Sequence, residues 1–273
     1  MEKHKKPLIS VVTIVFNDVS TIEKTILSVI CQTYKNIEYI VIDGGSTDGT
    51  VEVIKKYGEQ ISFWVSEPDN GIYDAMNKGI VKASGDWINF MNAGDSFYNN
   101  EVISNLFTSF DDNTDIVYGD TSLCYGWANI ITAPLNISEI HKSMPFCHQS
   151  VFVRNSLMKK YKFNTHYRIS ADYDFFLKAY HDRYIFKYIP LCISNFDYVN
   201  GVSKNNTVLL KKETAKITGN KINYKWKYKL FINNCINLSA SLIKKFISKE
   251  RLQKRTLSHF ARNKRVKNIE LLN

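Results

Sequence analysis

The chain has 273 residues, of which 44% are hydrophobic, and a net charge of +10. That length buries a sizeable core as one large domain or as one domain plus an extension, and an apolar share of this size with only five prolines excludes a disordered chain. Five scattered cysteines without C-x-x-C spacing exclude a zinc knuckle or a disulfide framework.

The charge is unevenly placed. Residues 1–203 hold 18 Lys+Arg and 23 Asp+Glu, a net of −5, while residues 204–273 hold 18 and 3, a net of +15. This asymmetry places an expected boundary between a domain at 1–203 and a basic extension at 204–273. Met1 to Pro7 is basic, but the apolar run Leu8 to Phe16 is short and has no small-residue cleavage pattern, so it reads as a buried strand and not as a secretory leader. No run of about 18 apolar residues is present, so the expectation is a cytoplasmic protein, peripheral at the inner face of a membrane.

In chain order, Ile9 to Phe16 is a β-branched strand, and Ser20 to Gln32 sets Ile22, Ile26, Leu27, Val29 and Ile30 on one helical face. Glu38 to Ile42 is a second strand, broken by Gly44-Gly45, and Asp48 to Tyr57 a helix. Ile61 to Val65, Gly71 to Val81 and Trp87 to Met91 read as strand, helix and strand. Such alternation predicts an α/β fold: parallel strands with helical crossovers, and binding loops at the strands' carboxyl ends. Short strands follow at Ile116 to Val117, Asn129 to Thr132, Gln149 to Val153 and Tyr184 to Tyr188, with a helix at Asp172 to Asp182. Beyond Ser203 the pattern becomes helical and basic, with an amphipathic stretch at Trp226 to Ile247.

Three polar clusters sit at strand ends. In Asp43-Gly44-Gly45-Ser46-Thr47-Asp48-Gly49-Thr50, Asp43 can accept hydrogen bonds from a nucleobase beside a turn that glycine opens, or the segment is a strand-to-helix turn capped by Asp48. In Glu67 to Lys78, Asp69 or Asn70 caps a helix or faces a ligand, and Lys78 is a ligand contact or a solvated charge. In Asn92-Ala93-Gly94-Asp95, the single carboxylate suits magnesium or manganese, or belongs to a structural turn.

These segments in this order, with Val12 to Asn17, Asn70-Gly71, Asn77-Lys78-Gly79 and Ala83 to Asp86, resemble family 2 glycosyltransferases of the GT-A fold over residues 7–203. The resemblance implies a Rossmann-type mixed, mainly parallel sheet flanked by helices, here with a basic helical C-terminal extension. It implies that Asp43 contacts the base of a nucleotide in a pocket also lined by Thr13, Val15 and Asn17, with Gly44, Asp69 and Lys78 on the nucleotide side as well. The family's Asp-x-Asp-Asp metal motif reads Asn92-Ala93-Gly94-Asp95 here, which leaves Asp95 as the expected ligand of Mn2+ or Mg2+ and Asn92, Ala93 and Gly94 beside the donor sugar. Asp172, in Ser170-Ala171-Asp172-Tyr173-Asp174, matches the family's general base, a role that asks for a carboxylate to take the acceptor's proton, with helix capping as the other reading. Cys147-His148-Gln149 resembles the segment framing the acceptor, and Asn200-Gly201-Val202-Ser203 a loop over the diphosphate.

The implied function is inverting transfer from a nucleotide-diphosphate sugar, UDP-linked by expectation, to a saccharide or lipid-linked saccharide hydroxyl in cell-surface polysaccharide synthesis. Lys78 or Arg168 is a candidate to share the leaving group's charge. The competing readings are an inactive sugar-nucleotide-binding scaffold and a nucleotidyltransferase, although Asn17-Asp18-Val19-Ser20 has neither Gly nor Lys. A dinucleotide-dependent oxidoreductase is disfavoured because no G-x-G-x-x-G follows the first strand. The basic extension has three readings: anionic lipid, a partner or homo-oligomer, and nucleic acid, for which no RNA-binding motif interleaves the lysines.

Overall fold

The computed structural model describes residues 6–107, 113–199, 206–220 and 249–272. Four parallel strands form its first half: β1 (Ile9–Val15), β2 (Ile37–Asp43), β3 (Phe63–Ser66) and β4 (Trp87–Phe90) lie in the order β4-β1-β2-β3. Their crossovers are α1 (Ile22–Ile30), α2 (Thr50–Lys56) and α3 (Ile72–Lys82). Side chains alternate across β1. Val12 and Ile14 enter one cluster with Met76 and Ile80 of α3, while Ile9, Val11 and Val15 enter the other with Ile22, Ile26 and Val29 of α1. Both faces are therefore covered by helices, which explains the near-continuous apolar strand sequences.

The second half extends the same sheet by antiparallel pairing. A short β5 (Ser96–Phe97) and α4 (Val102–Phe107) precede β6 (Ile116–Cys124), which forms a hairpin with β7 (Ala128–Thr132). β8 (Val151–Arg154) bridges β4 and β6, antiparallel to each. After α5 (Asn155–Tyr161) and α6 (Ala171–His181), β9 (Phe186–Asp197) runs parallel to β6 and pairs with β5. A mixed sheet with a parallel nucleus is the architecture expected from the sequence.

The basic extension is only partly helical. α7 (Thr207–Ile217) and α8 (Lys249–Ala261) are helices, but Val266–Leu271 is a strand, β10, antiparallel to β7. The correction has a physical cause: β7 offers an open edge, and Phe260, Val266 and Ile269 gain an apolar cluster with Ala128 and Ile130 there. The buried Asp120 of β6 is joined to β10 by Lys267 Nζ at 2.7 Å and also accepts a hydrogen bond from Tyr188 Oη at 2.7 Å. The amphipathic stretch Trp226 to Ile247 and the loop Asn200 to Ser203 lie outside the described residues.

Candidate functional site

A cleft of about 1070 Å³ opens at the carboxyl ends of the parallel strands. Of the residues singled out in the sequence, Val15, Asn17, Asp69, Asn92, Ala93, Gly94, Asp95, His148, Gln149 and Asp172 line it. Thr13, Asp43, Gly44 and Lys78 are not among its lining residues, and each has a different occupation.

Asp43 ends β2 fully buried. Its Oδ2 accepts the N–H groups of Gly45 and Ser46 at 3.0 and 2.9 Å and the Ser66 hydroxyl at 2.6 Å, and its Oδ1 accepts the Ser46 hydroxyl at 2.5 Å. The carboxylate thus builds the turn behind the cleft. Gly44 leaves room for the loop opposite, because a Cβ there would stand 2.6 Å from Asp69 Oδ2. Thr13 Oγ1 donates to the Met91 carbonyl at 2.8 Å, tying β1 to the end of β4. Lys78 Nζ holds Glu67 at 2.7 Å and the Pro68 carbonyl at 3.0 Å, so it pins the segment that delivers Asp69. Arg168 is likewise not among the lining residues.

Asn17 takes a left-handed backbone, φ 49°, which its short amide tolerates. Its Oδ1 accepts the Thr47 N–H at 2.9 Å and its own N–H donates to Ser46 Oγ at 2.7 Å, so the ends of β1 and β2 are laced together. Asn92 to Asp95 is a turn closed by the Asp95 N–H on the Asn92 carbonyl at 3.0 Å, with Gly94 at φ 92°. Asp95 accepts Gln149 Nε2 at 2.7 Å and the Asp197 N–H at 3.0 Å. Burial pushes its carboxyl up to about 6, against the lowering effect of those two hydrogen bonds.

Across the cleft, Asp172 stands in the first turn of α6. Its Oδ1 accepts the Tyr73 hydroxyl and the Tyr173 N–H, both at 2.9 Å, and its Oδ2 lies 3.3 Å from His148 Nδ1. Burial alone would raise this carboxyl, but hydrogen bonds from His148, Tyr73 and Tyr173 outweigh it and hold Asp172 below its ordinary value, ionised near neutral pH. His148 Nε2 faces Asn92 Nδ2 at 3.1 Å. An amide nitrogen only donates, so with this amide orientation Nε2 accepts and the imidazole proton sits on Nδ1, facing Asp172. Asn92 Oδ1 is buried without a hydrogen-bond partner among the described residues.

Sequence reasoning missed Asp18, Tyr73, Asp197, Ser170, Leu210 and Thr214, which also line the cleft. Tyr73 alone had a local signal, since it opens the helix after the Asp69-Asn70-Gly71 loop. Asp18, Asp69, Asp95, Asp172 and Asp197 give the wall five carboxylates, and no Lys or Arg is among the described lining residues.

The sequence profile described as Glycosyl transferase family 2 matches residues 10–183. The chain belongs to this family. A glycosyltransferase of Mycobacterium tuberculosis, itself uncharacterised, is 33% identical over 187 residues, covering 63% of this chain and 69% of the relative. A PGL/p-HBAD biosynthesis glycosyltransferase of Mycobacterium bovis is 27% identical over 217 residues, covering 76% of this chain and 82% of the relative. Staphylococcus aureus TarS 1–349 in complex with UDP superposes with a TM-score of 0.61 at 17% identity, over 77% of this chain and 64% of that one. A Pyrobaculum calidifontis mannosyltransferase in complex with GDP-Man and Mn2+ gives 0.61 at 15% identity, over 78% and 64%. This chain thus spans just under two thirds of each of those solved chains. The likenesses show that the glycosyltransferase has the GT-A fold expected from its sequence.

Proposed function

We propose that this glycosyltransferase inverts configuration at the anomeric carbon of a nucleotide-diphosphate sugar, with Asp172 as general base. The single observation that supports this is the setting of Asp172: its carboxyl group is held from three directions in the same cleft as Asp95. The acceptor hydroxyl gives its proton to Asp172 Oδ2 as its oxygen bonds to the anomeric carbon. The bond from that carbon to the diphosphate oxygen breaks, and its electron pair leaves with the nucleoside diphosphate.

A nucleotide diphosphate entering this cleft meets carboxylates and no Lys or Arg among the described lining residues, which fits a divalent cation travelling with it. Asp95 would hold the ion, and the unpartnered Asn92 Oδ1 fits a ligand hydroxyl or a bound water. When bound, Mn2+ or Mg2+ neutralises charge that builds on the leaving diphosphate. The mannosyltransferase likeness, solved with GDP-Man and Mn2+, supports the same reading.

The base lies by this proposal against Val15, Asn17 and Asp69, on a turn that Asp43 builds from behind. We take the donor to be UDP-linked and the acceptor to be a saccharide or lipid-linked saccharide, the basic segment 204–273 meeting an anionic membrane surface. No helix among the described residues is long and apolar enough to cross a membrane. Asp172→Asn tests the core of the proposal. Transfer should vanish while calorimetric donor affinity persists, and near-normal transfer by this variant removes Asp172 from the chemistry.

A further inference from the structure

The helix α7 lies beyond the family match, within the basic extension, yet Leu210 and Thr214 line the cleft and Ala215 is buried. Its Glu213 is 4% exposed. The two carboxylate oxygens of Glu213 accept the backbone N–H groups of Arg168 at 2.8 Å and Ile169 at 3.1 Å. Those two residues lead directly into Ser170, the N-cap of α6, and so into Asp172.

Helix starts are usually fixed by a capping side chain, and here that device is missing. Ser170 makes no side-chain cap, and its hydroxyl is buried without a partner among the described residues. The entry to α6 is held from outside instead. A buried carboxylate is an expensive peg unless its oxygens are satisfied, and a negative group before a helix N-terminus is favourable with the helix dipole. An apolar residue would fill the space, but it would leave two backbone donors without an acceptor.

We infer that Glu213 is the positioning residue for Asp172, so that α7 completes the transfer site from outside the span matched to the family. The inference rests on Asp172 as the base. Removing Glu213 frees the 168–170 segment to shift, and displacement of a reacting group by about 1 Å costs on the order of 100-fold in rate. The donor's contacts at β1 and the Asn92 turn are on other elements and stay in place.

The test uses the full chain, with transfer kinetics, donor affinity by calorimetry and thermal melting on each variant. Glu213→Ala should lower kcat about 10- to 100-fold with donor Kd within about twofold. Glu213→Gln, whose amide oxygen still accepts an N–H, should recover most of the rate and lose only about threefold. An unchanged kcat in folded Glu213→Ala, or a donor affinity that falls as steeply as kcat, overturns the inference. If Glu213→Ala does not fold, Glu213→Gln decides alone, and a wild-type kcat there overturns it. Asp172→Asn is run in parallel. Normal transfer by that variant sinks the base assignment itself, whereas an inactive Asp172→Asn beside a fully active Glu213→Ala sinks the positioning role only.

Discussion

Replacing Asp43 separates a carboxylate that touches the nucleotide from one that builds the turn behind it. In Asp43→Ala, the N–H groups of Gly45 and Ser46 and the hydroxyls of Ser46 and Ser66 all lose their acceptor. The position is fully buried, so water does not replace the lost bonds freely. Each unsatisfied group costs about 1–3 kcal/mol, and because the hydroxyls can rotate to other partners, a total of roughly 2–5 kcal/mol is expected. For a protein of this size that lowers Tm by roughly 5–15 °C. Asp43→Asn is much milder. Its amide oxygen can stand in for Oδ2 and accept from Gly45, Ser46 and Ser66, while its NH2 donates to Ser46 Oγ, so the loss is about 1 kcal/mol. Scanning fluorimetry reads the Tm, and calorimetry with UDP at a temperature where every variant is folded reads the affinity. A turn-building role predicts a large melting shift for Ala and near-native UDP affinity for Asn. The reasoning is refuted if both variants melt like the wild type while UDP affinity falls more than about tenfold, the signature of a direct contact.

His148→Ala removes one of the hydrogen bonds that keep Asp172 ionised, so the acidic limb of the kcat profile should move to higher pH; a limb that stays in place argues against the contact. The sign for stability agrees. The folded-state value of Asp172 lies below its unfolded one, so its contribution is present above the ordinary carboxylate range and is lost as the pH falls through the folded value. Chelation should lower transfer at least about tenfold, with recovery on adding Mn2+ or Mg2+, and full activity in excess chelator counts against a cation at Asp95. Lys267→Ala leaves the buried Asp120 with Tyr188 and should cost about 1–3 kcal/mol by urea denaturation, with kcat per folded molecule unchanged. Wild-type stability in that variant would show the pair to be idle.

The first half of the fold was legible because β1 and β2 are β-branched apolar runs and β4 a short, largely apolar one, separated by helix-period segments and glycine-marked turns. In the second half β6, β7, β8, β9 and the helix α6 were each placed, but the length of β6 and β9 and the existence of β10 were not legible, for local reasons. Pro190 interrupts β9, which read as a strand ending at Tyr188, although the strand continues to Asp197 beside a register shift opposite Gly119 and Asp120. β10 is a short Lys- and Asn-bearing strand in a helix-like background, and only the edge of β7 makes it a strand. Residues at strand ends that line the cleft were picked out because polar groups after apolar runs stand out. The pairings that tune them were not: Gln149, itself singled out, with Asp95, and Tyr73 with Asp172 and Glu213 with Arg168, join residues distant in the chain. Asp43 shows the ambiguity of local pattern, since a carboxylate beside two glycines reads equally as a ligand contact and as part of a strand-to-helix turn.

The register of β10 also dictates when this sheet can be finished. Thr132 leaves the ribosome long before Val266, its eventual neighbour, and in the interval β7 presents a bare edge while Asp120 lacks its ammonium partner. Nascent chains halted within that window should expose a sticky strand rim, and are the species most prone to associate or to recruit a chaperone.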